Sequence, residues 1–192
     1  HRIDFSKDYH VNDVIPASID FDMGEPPMSG DRFYIRPSYG DNIAVASHGI
    51  VFDEGRGPYP ITDNENFPTT TQIAMDSREL KLSIWAKDTS GNVAYLNKTL
   101  SVIDKMAPII LSYRSDLIDG ELRIVAVATD NWGPSGLDCS LESGFYSEKR
   151  SLNRTGEYYE IRILLPSGCT NFTFKIIVSD GSVNNAESGP LW

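Results

Sequence analysis

Leu80-Lys81-Leu82-Ser83-Ile84-Trp85-Ala86-Lys87-Asp88-Thr89-Ser90-Gly91-Asn92-Val93-Ala94 is the stretch that decides the fold. Apolar and polar residues alternate from Leu80 to Ala86, the period-two pattern of a half-buried strand. An Asp-Thr-Ser-Gly-Asn turn follows, and a second strand leaves it. The same marks return at a fixed offset (180 − 88 = 92): Phe172, Phe174, Ile176 and Val178 lie over Leu80, Leu82, Ile84 and Ala86, and Asp180, Asn184 and Ala186 over Asp88, Asn92 and Ala94. Pro16 and Pro108 coincide at that offset too, each opening a short apolar run. Several independent marks at one offset identify two copies of one domain.

Each copy reads as all-β. Ile43-Ala44-Val45-Ala46 and Leu122-Arg123-Ile124-Val125-Ala126-Val127 both follow a Gly-acid pair, Gly40-Asp41 and Gly120-Glu121, which suits a tight turn. Matching these pairs shortens the offset (120 − 40 = 80) and predicts an insertion in the first copy between Asp22 and Ser38. The second copy recovers the length between Gly133 and Gly168. With 15 Gly and 11 Pro punctuating the chain, no capped helical segment emerges. The expected fold is therefore two tandem β-sandwiches, residues 1–105 and 106–192, each of about seven short strands. Residues 1–15 read as the tail of a preceding repeat, the alternative being an integral first strand of the first domain.

Asp88-Thr89-Ser90-Gly91-Asn92-Val93-Ala94 resembles the turn of immunoglobulin-like repeats in bacterial and archaeal cell-surface or secreted proteins. Asp104-Lys105-Met106-Ala107-Pro108-Ile109 is similar to the Asp-x-x-x-Pro linkers that join such repeats. The second copy departs from the pattern, with Asp180-Gly181-Ser182-Val183-Asn184-Asn185 in place of the compact turn. The resemblance implies immunoglobulin-like sandwiches, a short linker and an extracellular setting.

The 192 residues carry 17 basic against 27 acidic side chains, a net charge of −10. That balance argues against nucleic-acid partners, which require clustered Lys and Arg, and against anionic membrane surfaces. No apolar run approaches the roughly 20 residues of a membrane span. The two cysteines, Cys139 and Cys169, have neither redox nor zinc spacing. Flanking Ser, Gly and Asp place both at loop edges. A disulfide between them would close a loop worth roughly 3–4 kcal/mol in the chain-entropy account, the alternative being two buried thiols. Asn97-Lys98-Thr99, Asn153-Arg154-Thr155 and Asn171-Phe172-Thr173 are glycosylation sequons in a secreted chain.

Catalytic signatures are lacking. His1, His10 and His48 stand apart from any metal-binding pair or nucleophile elbow, and no carboxylate pair can be selected from 27 acids. No enzyme and no resident cofactor are expected. Calcium is the one metal with suitable residues, since it takes about six to eight oxygens. Oxygen donors cluster at Asp53-Glu54, Asp63-Asn64-Glu65-Asn66, Asp88 with Asn92, Asp130-Asn131, and Asp180 with Asn184-Asn185. Asp88, Asp130 and Asp180 are the candidate ligands, set against the ordinary use of Asp and Asn in turns. The linker at Asp104 has too few acids for a calcium hinge. In the Gly/Pro-rich stretch from Phe52 to Thr71, Tyr59 and Phe67 are either binding-loop residues or aromatics pinned to the core. Trp85 points away from Leu82 and Ile84, and Trp132 beside Gly133-Pro134 reads as a loop residue.

These features predict a non-catalytic extracellular repeat segment of a surface protein, acting as spacer, lattice or adhesion module. Its partners would be neighbouring repeats and a protein or cell-surface glycan. The alternatives are a substrate-binding module beside a secreted hydrolase and a calcium-dependent adhesion module.

Overall fold

The computed structural model describes residues 12–61, 68–143, 146–169, 171–181 and 184–188. The chain divides into two compact units, His1–Ile103 and Asp104–Trp192. No helix among the described residues is long and apolar enough to cross a membrane.

The first unit contains β1 (Ser18–Asp22), β2 (Arg32–Gly40), β3 (Val45–Asp53), β4 (Tyr59–Ile61), β5 (Thr69–Gln72), β6 (Glu79–Asp88) and β7 (Val93–Ser101). They form two sheets, in the orders β1-β2-β5 and β4-β3-β6-β7. The second unit contains β8 (Ile109–Ile118), β9 (Glu121–Thr129), β10 (Gly136–Ser143), β11 (Tyr146–Ser151), β12 (Asn153–Thr155), β13 (Tyr158–Leu164), β14 (Thr173–Ser179) and β15 (Asn185–Glu187). Its sheets run β12-β13-β9-β8 and β11-β10-β14-β15. Strand for strand, β1, β2 and β5 correspond to β8, β9 and β13, and β4, β3, β6 and β7 to β11, β10, β14 and β15. Both units are thus the same immunoglobulin-like sandwich.

Alternation builds both cores. Along β6, Leu80, Leu82, Ile84 and Ala86 point inward and are at most 2% exposed; along β14, Phe174, Ile176 and Val178 do the same at 3% or less. In the first unit Ile50 and Phe52 of β3 lie opposite Ile84 and Leu82, Phe33 and Ile35 of β2 are equally buried, and Phe33 stands edge-on to Phe52 at 6.4 Å. In the second the β14 residues cluster with Leu122, Ile124, Leu137, Leu141, Ile161 and Ile163. Gly49 sits opposite Trp85 in the β3–β6 ladder, and a β-carbon there would come within 2.6 Å of the indole Nε1. With the indole in this place the position has no room for a side chain.

Two expectations are corrected. Leu122–Val127 lies in β9, whose counterpart is β2 and not the Ile43–Ala46 run that leads into β3. The stretch from Asp22 to Ser38 contains most of that counterpart strand and is not an insertion. The offset at the β2/β9 end changes only slightly (129 − 40 = 89, against 92 at β6/β14). The misleading mark was the Gly-acid pair: Gly120-Glu121 opens β9, whereas Gly40-Asp41 closes β2. Such pairs signal turns without saying which turn. The second correction concerns the cysteines. Cys139 is no loop-edge residue; it lies inside β10 with no exposure, opposite Ile176, where Ile50 sits opposite Ile84 in the first unit. Cys169 follows a turn in which its N–H donates to the Pro166 carbonyl at 3.1 Å. Both are free thiols in this structure.

On the outer face of the β9–β13 pair, Arg123 donates through Nε and Nη2 to the two oxygens of Glu160, both at 2.9 Å, and Arg162 adds a third contact at 3.0 Å. The Arg123 hydrogen bonds, with those from Arg162, hold the Glu160 carboxyl down at about 2.

Ile84→Ala and Ile176→Ala should each destabilise their own unit by about 2–5 kcal/mol, read from denaturant unfolding, because each opens a cavity in a closed core. Glu160 is depressed in the folded state, so its contribution is present above its ordinary value of 4.5 and is lost as pH falls towards about 2. Glu160→Gln should therefore lower the second unit's unfolding temperature at neutral pH and leave it unchanged at the acid end of that range.

Candidate functional site at one end of each sandwich

Asp88 is the last residue of β6 and is 1% exposed. Gly91, with φ of 98°, lets the chain reverse immediately after it. The Asn92 N–H donates to Asp88 Oδ1 at 2.8 Å, and its side-chain Nδ2 donates to Asp88 Oδ2 at 2.7 Å. Burial by itself would raise the Asp88 carboxyl. The hydrogen bonds from the Asn92 side chain and from the Asn92, Gly91 and Ser90 amides outweigh it and hold the group below its ordinary range. Asp88 is therefore a buried, ionised carboxylate at neutral pH.

Two further aspartates join it. Asp13, just before β1, accepts at Oδ1 from the Ile15 N–H (3.0 Å) and from Asn42 Nδ2 (3.2 Å). Its backbone carbonyl accepts from Asn92 Nδ2 at 3.1 Å. Asp41, just after β2, accepts at Oδ2 from the Ile43 and Ala44 amides at 3.0 and 2.7 Å. Asp13 Oδ2 and Asp41 Oδ1 are sealed from solvent with no hydrogen-bond partner. One carboxylate oxygen from each of Asp13, Asp41 and Asp88 lies within 4.8 Å of the others.

The second unit repeats the arrangement with Asp104, Asp130 and Asp180, again within 4.8 Å of one another. Asp104 Oδ1 accepts from the Met106 N–H and from Asn131 Nδ2, both at 3.0 Å. The Asp104 carbonyl accepts from Asn184 Nδ2 at 3.2 Å. Asp130 Oδ2 accepts from the Trp132 N–H at 2.9 Å, and Asp130 Oδ1 is sealed without a partner. Each bond made by Asn42 and by the Asn92 side chain to Asp13 thus has a counterpart in Asn131 and Asn184 to Asp104.

Two unit charges about 4 Å apart repel by ~1 kcal/mol in water and ~4 kcal/mol at an effective dielectric near 20. Three carboxylates so placed, with oxygens sealed from water, form a donor set for a hard cation. Oxygen-only donors suit calcium, whereas zinc and softer metals favour nitrogen and sulfur.

The structure brings all three sequence candidates into these clusters: Asp88 in the first, Asp130 and Asp180 in the second. Sequence reading missed Asp13, Asp41 and Asp104. The signal was in the repeat, but blurred: the pairs sit at slightly different offsets (104 − 13 = 91, 130 − 41 = 89, 180 − 88 = 92). A fixed offset lays Asp13 over Lys105. The acid pair at Asp53-Glu54 has other duties. Asp53 caps a turn through the Gly55 and Gly57 amides, and Glu54 accepts from Ala74 N–H, Ser77 hydroxyl and Tyr59 hydroxyl.

Tyr59 lies in β4 with its ring 6.3 Å from Phe52, and its hydroxyl also bonds Thr71 Oγ1 at 2.9 Å. Burial first, then the Glu54 carboxylate, raise its phenol against the opposing Thr71 bond. This is a pinned aromatic. His48 stacks on Tyr39 at 4.3 Å, and Trp132 is half-buried in the turn after Asp130. His1, His10, Phe67 and the acids between Asp63 and Asn66 lie outside the described residues. Asn97, Asn153 and Asn171 are all exposed.

No protein-family profile and no curated protein sequence matches the chain. Among solved structures it is similar to a 1.5-MDa bacterial ice-binding adhesin studied for host cell surface retention, at 13% identity and TM-score 0.39 over 92% of this chain and 63% of that one. It is also similar to the eight N-terminal immunoglobulin domains of Down syndrome cell adhesion molecule, at 12% identity and TM-score 0.47 over 88% and 27%. The two immunoglobulin domains of DIP-gamma give 11% identity and TM-score 0.42 over 88% and 94%. The chain spans less than two thirds of the first two of these chains.

Burial pushes the Cys139 thiol up to about 11, with the Glu148 charge adding to it. It should stay protonated and shielded in the fold. One thiol, Cys169, should react with iodoacetamide under native conditions at pH 8, and Cys139 only after denaturation, as peptide mapping would read.

Proposed function

We propose that this chain is a non-catalytic repeat segment of an extracellular surface protein, serving as spacer, lattice or adhesion module. The observation that carries the reading is the duplication itself. Two sandwiches share strand order, and each keeps the same aspartate–asparagine bonding at one end. A repeated unit that preserves its framework while its loops vary is suited to serial display. The net charge of −10 and the three exposed sequons support an extracellular setting. Incubation with cell envelopes and a glycan array tests this reading: retention on a surface component without turnover is expected, and product release from any array substrate would defeat it.

A second reading refines the first: each unit takes a calcium ion in its carboxylate cluster. The sealed oxygens of Asp13, Asp41 and Asp130 favour it, because each would otherwise be a desolvated acceptor with nothing to accept. Asp13, Asp41 and Asp88 would hold one ion and Asp104, Asp130 and Asp180 the other. The ion would supply positive charge that cancels the mutual repulsion. The protein's own part is to preorient the oxygens. The Ile15, Ile43 and Ala44 amides and the Asn42 side chain occupy one oxygen each of Asp13 and Asp41, leaving the other for the cluster. In this reading the ion fastens the segment before the first strand to the turns after the second and sixth.

Calcium at a hundred times its Kd should stabilise each unit by ~2.7 kcal/mol, and chelation should reverse the effect. Asp88→Asn should remove the calcium response of the first unit only, and Asp180→Asn that of the second only. Calorimetry reads both transitions. An unfolding profile indifferent to calcium and chelator would exclude the ion and leave the repeat reading standing.

A further inference from the structure

Resting on the extracellular reading above, a further feature lies on the outer face of the β3–β6–β7 region. Tyr95-Leu96-Asn97-Lys98-Thr99 lies within β7, the edge strand of its sheet. Alternate residues of a strand share a face, so Tyr95, Asn97 and Thr99 stand in one outward row. All three are exposed, Tyr95 at 68%. The neighbouring strand places Trp85 opposite Tyr95, Ser83 opposite Asn97 and Lys81 opposite Thr99. On its other side Trp85 covers Gly49, which has no side chain to lift the indole off the sheet. Trp85 and Tyr95 therefore stand opposite one another on the outer face, Tyr95 two residues from Asn97 and the indole leaning over Gly49. Asp53, Lys81, Ser83, Asn97, Lys98 and Thr99 line a shallow hollow of about 380 Å³.

The other two sequons lack this setting. Two residues before Asn153 stands Ser151, and two before Asn171 stands Cys169. Neither offers a ring; the ring that shares a face with Asn153, Tyr158, lies opposite Thr155 on the far side of that sequon.

We propose that Asn97 is a preferred N-glycosylation site whose first sugar packs on Tyr95 and extends over Trp85. The electron-rich face of an aromatic ring attracts the polarised C–H groups of a pyranose, as it attracts other partial positive charge. Polar groups in the hollow meet the sugar hydroxyls. In the transfer, Asn97 Nδ2 forms a bond to the anomeric carbon of an oligosaccharide carried on a lipid phosphate. The bond from that carbon to the phosphate oxygen breaks, its electron pair leaving with the lipid phosphate, and one Nδ2 proton passes to a base of the transferase. No oxidation state changes. The glycan would cover a surface that otherwise exposes a large aromatic at a sheet edge, and so guard that edge against pairing with other chains.

The test uses the full chain secreted from a eukaryotic host. Enzymatic deglycosylation in heavy-oxygen water followed by peptide mapping reads occupancy at each sequon. Asn97 should be the most fully occupied. Tyr95→Ala should lower its occupancy severalfold without changing Asn153 or Asn171, and Tyr95→Phe should preserve it. Removing the glycan should lower the first unit's unfolding temperature in the parent chain and leave Tyr95→Ala unmoved. An unmodified Asn97, or occupancy and unfolding indifferent to Tyr95→Ala, would overturn the proposal. Tyr95 lies on the surface, so loss of folding does not confound these readings.

Discussion

A strand has two faces, and the inner strands β6 and β14 commit each of theirs completely. Leu80, Leu82, Ile84 and Ala86 on one and Phe174, Ile176 and Val178 on the other close the two cores. A shift of one residue in pairing would turn every one of these side chains to water. Register in each sandwich is therefore dictated at its centre, and the remaining strands align to it. The same constraint places Trp85 and Ser83 on the outer face, beside Tyr95 and Asn97.

The apolar row of β6 ends in a charged group. Asp88 continues the inward parity and would be costly to bury without partners. The turn that follows supplies them, since Asn92 donates to both carboxylate oxygens. The same amide reaches Asp13, linking the turn to a segment 79 residues earlier. Asn184 makes the equivalent bond to Asp104 across 80 residues. These bonds explain why the Asn, as much as the Asp, recurs in both copies. They also bring three carboxylates within 4.8 Å of one another at the end of each sandwich.

The two ends of the chemistry differ in kind. The carboxylate clusters are partly buried and draw on three separate segments of the chain. The Asn97 row is open and depends on one strand and its neighbour. Cys139 shows a third outcome: a reactive residue type made inert because it occupies the core place that Ile50 has in the other copy.

The sequence by itself determined the all-β class, the duplication and the central strands, because these rest on local alternation and on turns read within a few residues. It also marked Asp88, Asp130 and Asp180 as oxygen donors and supplied the sequons. Tertiary structure decided the rest. Asp13 and Asp104 look like ordinary residues ahead of a proline, and Asp41 like a turn former. Only folding carries them to the end of the sixth strand of one copy and of its counterpart in the other. The strand that Arg32–Gly40 forms carries Pro37, a poor strand former that is tolerated because β5 pairs only with Arg32–Ile35 and leaves Pro37 with a neighbouring strand on one side. Cys139 could not be placed because Ser, Gly and Asp flank buried and exposed positions alike when a strand alternates. Whether a carboxylate meets two others, or a thiol meets the core, depends on which distant residues the fold brings to it.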